Sequence, residues 1–245
     1  MNFVGNVEPL LSLQAEYANY DVFRAKLDVL HRTYPHFRRT RADGNCFFRG
    51  FLFAWLRHLL TCPRDEGARA LANVTEWGPL MEAEGINRIV FEDAHEHLIS
   101  LVRGATHGHI SEANIVAEMR QEGTTQELVM LTRFITSCEI KRKADFYTPF
   151  IFGSHDHVES VEAFCNKSVM VMGEESDHIH IVALTTALQV PMAVIYLDGS
   201  LHMGIGGDPS VPVTHEFIPE ECPGQAPVVH LLYRPGHYDV LYAQQ

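Results

Sequence analysis

Apolar residues recur at every fourth position at Phe47, Phe51, Trp55 and Leu59, and Phe48, Leu52 and Leu56 widen the same face. That period predicts an amphipathic, mostly buried helix over 47–60. Just before it, Asp43, Gly44 and Asn45 have the chemistry of a tight turn. Asp and Asn turn and cap the chain, and glycine accepts a positive φ. Cys46 therefore falls where a polar turn meets the first turn of a helix. Helical periodicity also covers 22–33, behind Asp21 as an N-cap, and then about 65–84, 91–102, 111–121 and 125–142. The last of these carries Leu128, Leu131, Ile135 and Cys138 on one face and ends in Lys141 to Lys143, where cations suit the helix dipole. Residues 146–152, with Pro149, read as an aromatic-rich connection and 161–169 as a short helix. Residues 174–177 read as the cap of a further helix bearing Ile179, Val182, Ala183 and Leu188.

Strands enter late in this pattern. The run 192–197 is continuously apolar and stops at Asp198-Gly199; 228–233 and 238–242 form a pair joined through Arg234-Pro235-Gly236-His237. Residues 204–212 and 219–227 are Gly/Pro-rich loops. Helices first and strands last, without regular alternation, predict an α+β fold rather than a doubly wound one. The expected organisation is an N-terminal segment, 1–20, with scattered anchors at Leu10, Leu11, Leu13 and Tyr17, followed by a single domain over 21–245. Arg38-Arg39-Thr40-Arg41 reads as a short, solvated basic link into the Asp43 turn.

Composition narrows the function classes. With 46% hydrophobic and 10% aromatic residues, the 245-residue chain has the makings of a globular core. No apolar run has the length of a membrane span, and the N-terminus lacks the basic-then-apolar pattern of a secretory signal. A formal charge of −12 argues against nucleic acid or an anionic membrane as main partner. The five cysteines are scattered and form no C-x-x-C pair, which predicts reduced thiols in the cytosol or nucleus. Four H-x-H pairs, at 95/97, 107/109, 155/157 and 178/180, invite a metal reading. Residues two apart on a helix point nearly opposite ways, so neither a metal nor a cofactor is expected.

The chemistry sits at two ends of the chain. A thiol at a helix start is favoured as thiolate by free N–H groups and the dipole, and the same N–H groups can hold an oxyanion. Taken alone, a lone cysteine is more often a small buried hydrophobe. His237 and Asp239 lie two apart in an extended segment and so share a face, where a carboxylate can orient an imidazole. Cys46, His237 and Asp239 together make a nucleophile, a base and an orienting acid for acyl transfer.

Three blocks carry a resemblance. Asp43-Gly44-Asn45-Cys46-Phe47-Phe48-Arg49, Gly173-Glu174-Glu175-Ser176-Asp177-His178-Ile179-His180-Ile181, and the stretch Leu231 to Tyr242 around Arg234-Pro235-Gly236-His237-Tyr238-Asp239 occur in that order. They strongly resemble the otubain group of the OTU (ovarian tumour) cysteine proteases, in wording nearer the plant type. The resemblance implies a papain-like OTU fold and hydrolysis of the isopeptide bond between ubiquitin and a lysine. It implies that Cys46 is the nucleophile, His237 the base and Asp239 the acid, and that Asp43 begins the loop building the oxyanion hole. Ubiquitin contacts are expected at Phe150, Ile151, Asp177, His178, His180 and Met203, with one of the two histidines a packing residue. Expected partners are ubiquitin, polyubiquitin chains and conjugating enzymes, and the chain is expected to be a monomer. Two rival readings remain: a non-catalytic regulator that binds ubiquitin or conjugating enzymes, and a papain-like protease for another peptide. An intact Cys46/His237/Asp239 set favours the isopeptidase.

Overall fold

In the structure, a computed structural model that describes residues 2–154, 158–199, 208 and 210–244, the chain opens with a strand. β1 (Val4–Pro9) pairs antiparallel with β2 (His36–Thr40), and a 3₁₀ turn, Leu10–Ala15, and helix α1 (Asp21–Leu30) connect them. Two features hid β1 from periodicity. Its register shifts between Val4 and Val7, and it is an edge strand with mostly uncovered side chains. No break at residue 20 divides the sheet. β2 is the stretch read as a basic link. Its Arg38 is buried against the Phe53 ring and paired with Glu112 at 2.9 Å, and Arg39 pairs with Glu8 at 3.1 Å. Those charges are neutralised inside the fold rather than solvated.

The helices then follow in the expected order: α2 (Cys46–Leu59), α3 (Arg64–Ala83), α4 (Arg88–Thr106), α5 (Glu112–Arg120) and α6 (Glu122–Arg142). A further helix, α7 (Ala144–Ser154), stands where a connection was expected. Pro149 forfeits one backbone donor inside α7, but buried Tyr147 and Ile151, one turn apart, hold the helix against its neighbours. α8 (Val161–Phe164) runs into a π turn, Cys165–Val169. α9 (His178–Leu188) starts on Asp177, whose carboxylate accepts from the N–H groups of Ile179 and His180. The chain ends in β3 (Met192–Tyr196), β4 (Val213–Phe217), β5 (Val229–Arg234) and β6 (His237–Tyr242).

The sheet has the order β1-β2-β6-β5-β3-β4, with β3 and β5 parallel. Alternation along the central strands covers both faces. Val194, Leu231 and Val240 face α2 and the helical layer, while Ile195, Leu232 and Leu241 face Leu10, Leu13, Leu27 and Leu30. The fold is α+β, as expected, although two strands, β1 and β2, come before α2 and the helices that follow it. α2 is its axis: twelve of its fourteen residues are buried, including Phe47, Phe48 and Phe51. Each such aromatic contributes roughly 1.5–3 kcal/mol on leaving water. The Phe47 ring packs edge-on against Tyr238 of β6 at 5.5 Å. That contact brings the first residue of α2 to the beginning of the last strand. Among the described residues no helix is long and apolar enough to cross a membrane.

Candidate active site

The turn before α2 is held by side chains rather than by a simple cap. Gly44 has φ +74°, and the Asp43 carboxylate accepts from the Asn45 N–H at 3.1 Å. Both Asp43 oxygens also accept from the Arg49 guanidinium at 2.9 Å, tying the turn to the next turn of the helix. Asp43 thus shapes the loop with its carboxylate, while its own N–H is engaged by the Arg41 carbonyl. The first helical bond runs from the Arg49 N–H to the Asn45 carbonyl. The N–H groups of Cys46, Phe47 and Phe48 precede it and have no partner in the helix ladder. Cys46 therefore sits beside open donors at the positive end of a buried helix.

Across from it stands His237, at the first position of β6. Its Nε2–H donates to Asp239 Oδ1 at 2.9 Å, since a carboxylate can only accept. Nδ1 is buried outside ordinary hydrogen-bonding geometry, and the Cys46 thiol is the group with which the ring interacts. Burial alone would lower the affinity of His237 for its proton. The bond to Asp239 and the interaction with Cys46 outweigh it and raise the pKa to about 9. Asp239 is fully buried and saturated. Oδ1 also accepts from the Thr40 N–H at 2.9 Å, and Oδ2 takes both Nε and Nη2 of Arg234 at 3.0 and 2.6 Å. Burial would raise its pKa, but His237 and Arg234 hold it below the usual carboxylate range. Arg234 is anchored in turn by Glu16 at 3.0 Å.

The other four cysteines lack this setting. Burial pushes the thiols of Cys138 and Cys165 up to about 12 and about 11, and also raises those of Cys62 and Cys222. A cleft of about 320 Å³ opens on Cys46 and is lined by Glu175, Asp177, His178, Tyr196, Tyr233 and Gly236. A thiol at the wall of a cleft beside helix donors, with a base held by a buried acid, is an apparatus for acyl transfer.

Comparison with known proteins identifies the lineage. The sequence profile of the family described as Peptidase C65 Otubain matches residues 1–243. The chain belongs to the otubain family. It is 41% identical, over 98% of its length and 80% of the relative's, to the ovarian tumour domain-containing deubiquitinating enzyme 1 of Arabidopsis thaliana. It is 37% identical to the ubiquitin thioesterase OTUB1 of Homo sapiens, over 94% of this chain and 79% of that one. Among solved structures, ceOTUB1 in complex with ubiquitin aldehyde and UBC13~Ub superposes with a TM-score of 0.87. That match has 26% identity and covers 100% of this chain and 95% of that chain. The plant-type wording of the motifs agrees with the Arabidopsis relative.

The residues expected to touch ubiquitin divide sharply in this otubain. Asp177 and His178 line the cleft beside Cys46, and Phe150 is exposed on α7. Ile151 is fully buried in the core beneath α7, so it packs and presents nothing to a partner. His180 is also fully buried, bonded to Asp177 at 2.7 Å and set against the rings of Phe48 and Phe164. It is the packing histidine of its pair. Met203 lies outside the described residues, as do His155 and His157. Of the remaining H-x-H pairs, His95 bonds the Val74 carbonyl while His97 meets Glu118, whereas His107 and His109, past the end of α4, stack together on the surface. Periodicity passed over Thr40, Arg234 and Arg133, although Arg234 stands inside a quoted motif. The available signal for Arg133 was a charge inside the apolar run of α6.

Proposed function

We propose that this otubain is a cysteine-type deubiquitinase that hydrolyses the isopeptide bond between a ubiquitin C-terminus and a lysine of the next ubiquitin. The observation that carries the reading is the position of Cys46. It alone of the five cysteines joins open helix-start donors to a histidine held by a buried carboxylate. In the first step the Cys46 sulfur attacks the isopeptide carbonyl, and the oxyanion is received by the Cys46 N–H. His237, carrying the thiol proton, gives it to the departing lysine nitrogen as the C–N bond breaks. A thioester to ubiquitin remains on Cys46. Water then attacks that carbonyl, His237 takes its proton, and the thiol is restored as the ubiquitin carboxylate leaves. Asp239 keeps the ring turned with Nδ1 toward sulfur and stabilises its charged form. Asp43 keeps the turn in shape. Asp177, His178 and the three tyrosines at 196, 233 and 238 border the channel for the ubiquitin tail.

The test is cleavage of linkage-defined di-ubiquitins by the intact chain and by Cys46→Ala. Cleavage of lysine-linked chains by the first and none by the second supports the reading; equal cleavage by both refutes it. We expect the degradation-type lysine linkage to be cut. A second reading, binding of a charged conjugating enzyme, is favoured by the solved relatives that hold UBC13~Ub or UBCH5B~Ub. It is compatible with the first. Titration calorimetry of Cys46→Ala with a ubiquitin-charged conjugating enzyme tests it, and absence of heat sinks it.

A further inference from the structure

Arg133 lies in the middle of α6 and is fully buried, yet among the described residues every hydrogen-bond partner it has is a neutral oxygen. Nε and Nη2 both donate to Asn45 Oδ1, at 3.2 and 2.9 Å. Nη2 also reaches the carbonyls of Gly44 at 3.1 Å and Glu174 at 2.7 Å, and Nη1 donates to the Val169 carbonyl at 2.9 Å. The ring of Phe48 lies under the guanidinium at 4.5 Å. Taking an unpaired cation out of water costs several kcal/mol, and an aliphatic side chain could fill the same space without that cost. Glu174 is the carboxylate felt most strongly at Arg133, and Asp43 is committed to Arg49. The Cys46 sulfur, when ionised, is a further anion felt there. Burial lowers the Arg133 pKa to about 10, so the group stays charged at neutral pH.

The same side chain closes a joint between two loops. Asn45 Oδ1, gripped by Arg133, also accepts from the Gly173 N–H at 3.0 Å. Gly44 and Gly173 both have positive φ and meet so closely that a Cβ on Gly44 would fall on the Gly173 carbonyl. Arg133 thus fixes both residues preceding Cys46 and the loop that leads into the cleft at Glu175.

We propose that Arg133 is a positioning residue of the reaction, clamping the Cys46 turn to the 173–174 loop so that the thiol is held in place beneath the cleft. This rests on Cys46 being the nucleophile. Arg133→Gln removes charge and fork; Arg133→Lys keeps the charge but not the fork. Two readouts are taken on each: di-ubiquitin kinetics and thermal unfolding. Cleavage by the wild type is scored first, so failure of the functional reading shows there and not in the variants.

For Arg133→Gln, kcat falls roughly 10- to 100-fold with KM changed less than about threefold. Arg133→Lys, which keeps the charge without the fork, loses kcat to a similar extent. A folded Arg133→Gln or Arg133→Lys with wild-type kcat overturns the proposal. So does a lowered melting temperature with kcat and KM unchanged, which a purely structural role would give. Should neither variant fold, Asn45→Ala, which opens the same joint from the other side, decides. A folded Asn45→Ala with wild-type kcat overturns the proposal.

Discussion

Replacing Asp239 by asparagine is the substitution whose outcome the structure changes most. On chemical grounds alone an amide looks like a mild replacement, since its oxygen can still accept from the imidazole. Four donors, however, converge on this carboxylate: His237 Nε2 and the Thr40 N–H on Oδ1, Arg234 Nε and Nη2 on Oδ2. Asparagine has one acceptor oxygen, so in either orientation its NH₂ group faces two of them. With the oxygen toward His237, the guanidinium of Arg234 loses its buried counter-charge and keeps Glu16 at the rim and the Tyr17 side chain. Removing one partner of a well-buried pair costs about 3–5 kcal/mol, and the remaining Glu16 contact reduces this to roughly 2–4 kcal/mol. For a chain of this size the melting temperature then drops by roughly 5–15 °C.

The catalytic loss has a separate origin. A His237 pKa of about 9 against 6.5 means that its charged form is favoured by roughly 3 kcal/mol. Asp239 and Cys46 share that effect, so about 100-fold in kcat is the upper range for losing the carboxylate charge. The assay pairs initial rates on lysine-linked di-ubiquitin with calorimetric unfolding. The basic limb of the rate profile should also move from near pH 9 toward pH 7, as His237 loses its counter-charge. Adding Arg234→Met to Asp239→Asn should recover part of the melting temperature and none of the rate. An Asp239→Asn protein with wild-type stability and less than about threefold loss of kcat would show that the four-donor account of this carboxylate is wrong.

Other consequences are simpler. Cys46→Ala should abolish turnover while leaving ubiquitin binding within about threefold by calorimetry, since affinity comes from the surrounding surface; residual turnover near the wild-type rate would mean that another residue attacks. A protein starting at Asn19 should be strongly destabilised in urea, because it loses β1, the buried Leu10 and Leu13 and the Glu16 anchor of Arg234. A wild-type urea midpoint would contradict that. Stability should also fall at both pH extremes. The His237 contribution is complete below about pH 6.5 and lost as pH rises through about 9, and that of Asp239 is present above about pH 4 and lost on acidification. Unfolding midpoints that stay flat from pH 7 to 10 in the wild type would contradict the raised histidine.

What was legible in the chain follows from which interactions are local. The period of α2 and the two-residue spacing of His237 and Asp239 are written in adjacent residues, and both placed their groups correctly. Asp177 was legible as a cap for the same reason. β1 and β2 were not, because a bulge spoils the alternation of one and the arginines of the other find partners far along the chain, Arg38 at Glu112. Thr40 meets Asp239 across 199 positions and Arg133 meets Asn45 across 88, and no window of sequence holds such pairs. Phe150 and Ile151 show the limit of a motif without a helix phase. One step along α7 turns the side chain by about 100°, from solvent to core.

The measurement closest to the central claim is covalent capture. Ubiquitin bearing a C-terminal electrophile is incubated with the protein under reducing conditions, and the adduct is weighed intact and mapped by peptide mass. The account predicts a single ubiquitin on Cys46, much slower capture in His237→Ala, and no capture in Cys46→Ala. No adduct on the wild type, or an adduct on Cys62, Cys138, Cys165 or Cys222 instead, would contradict it.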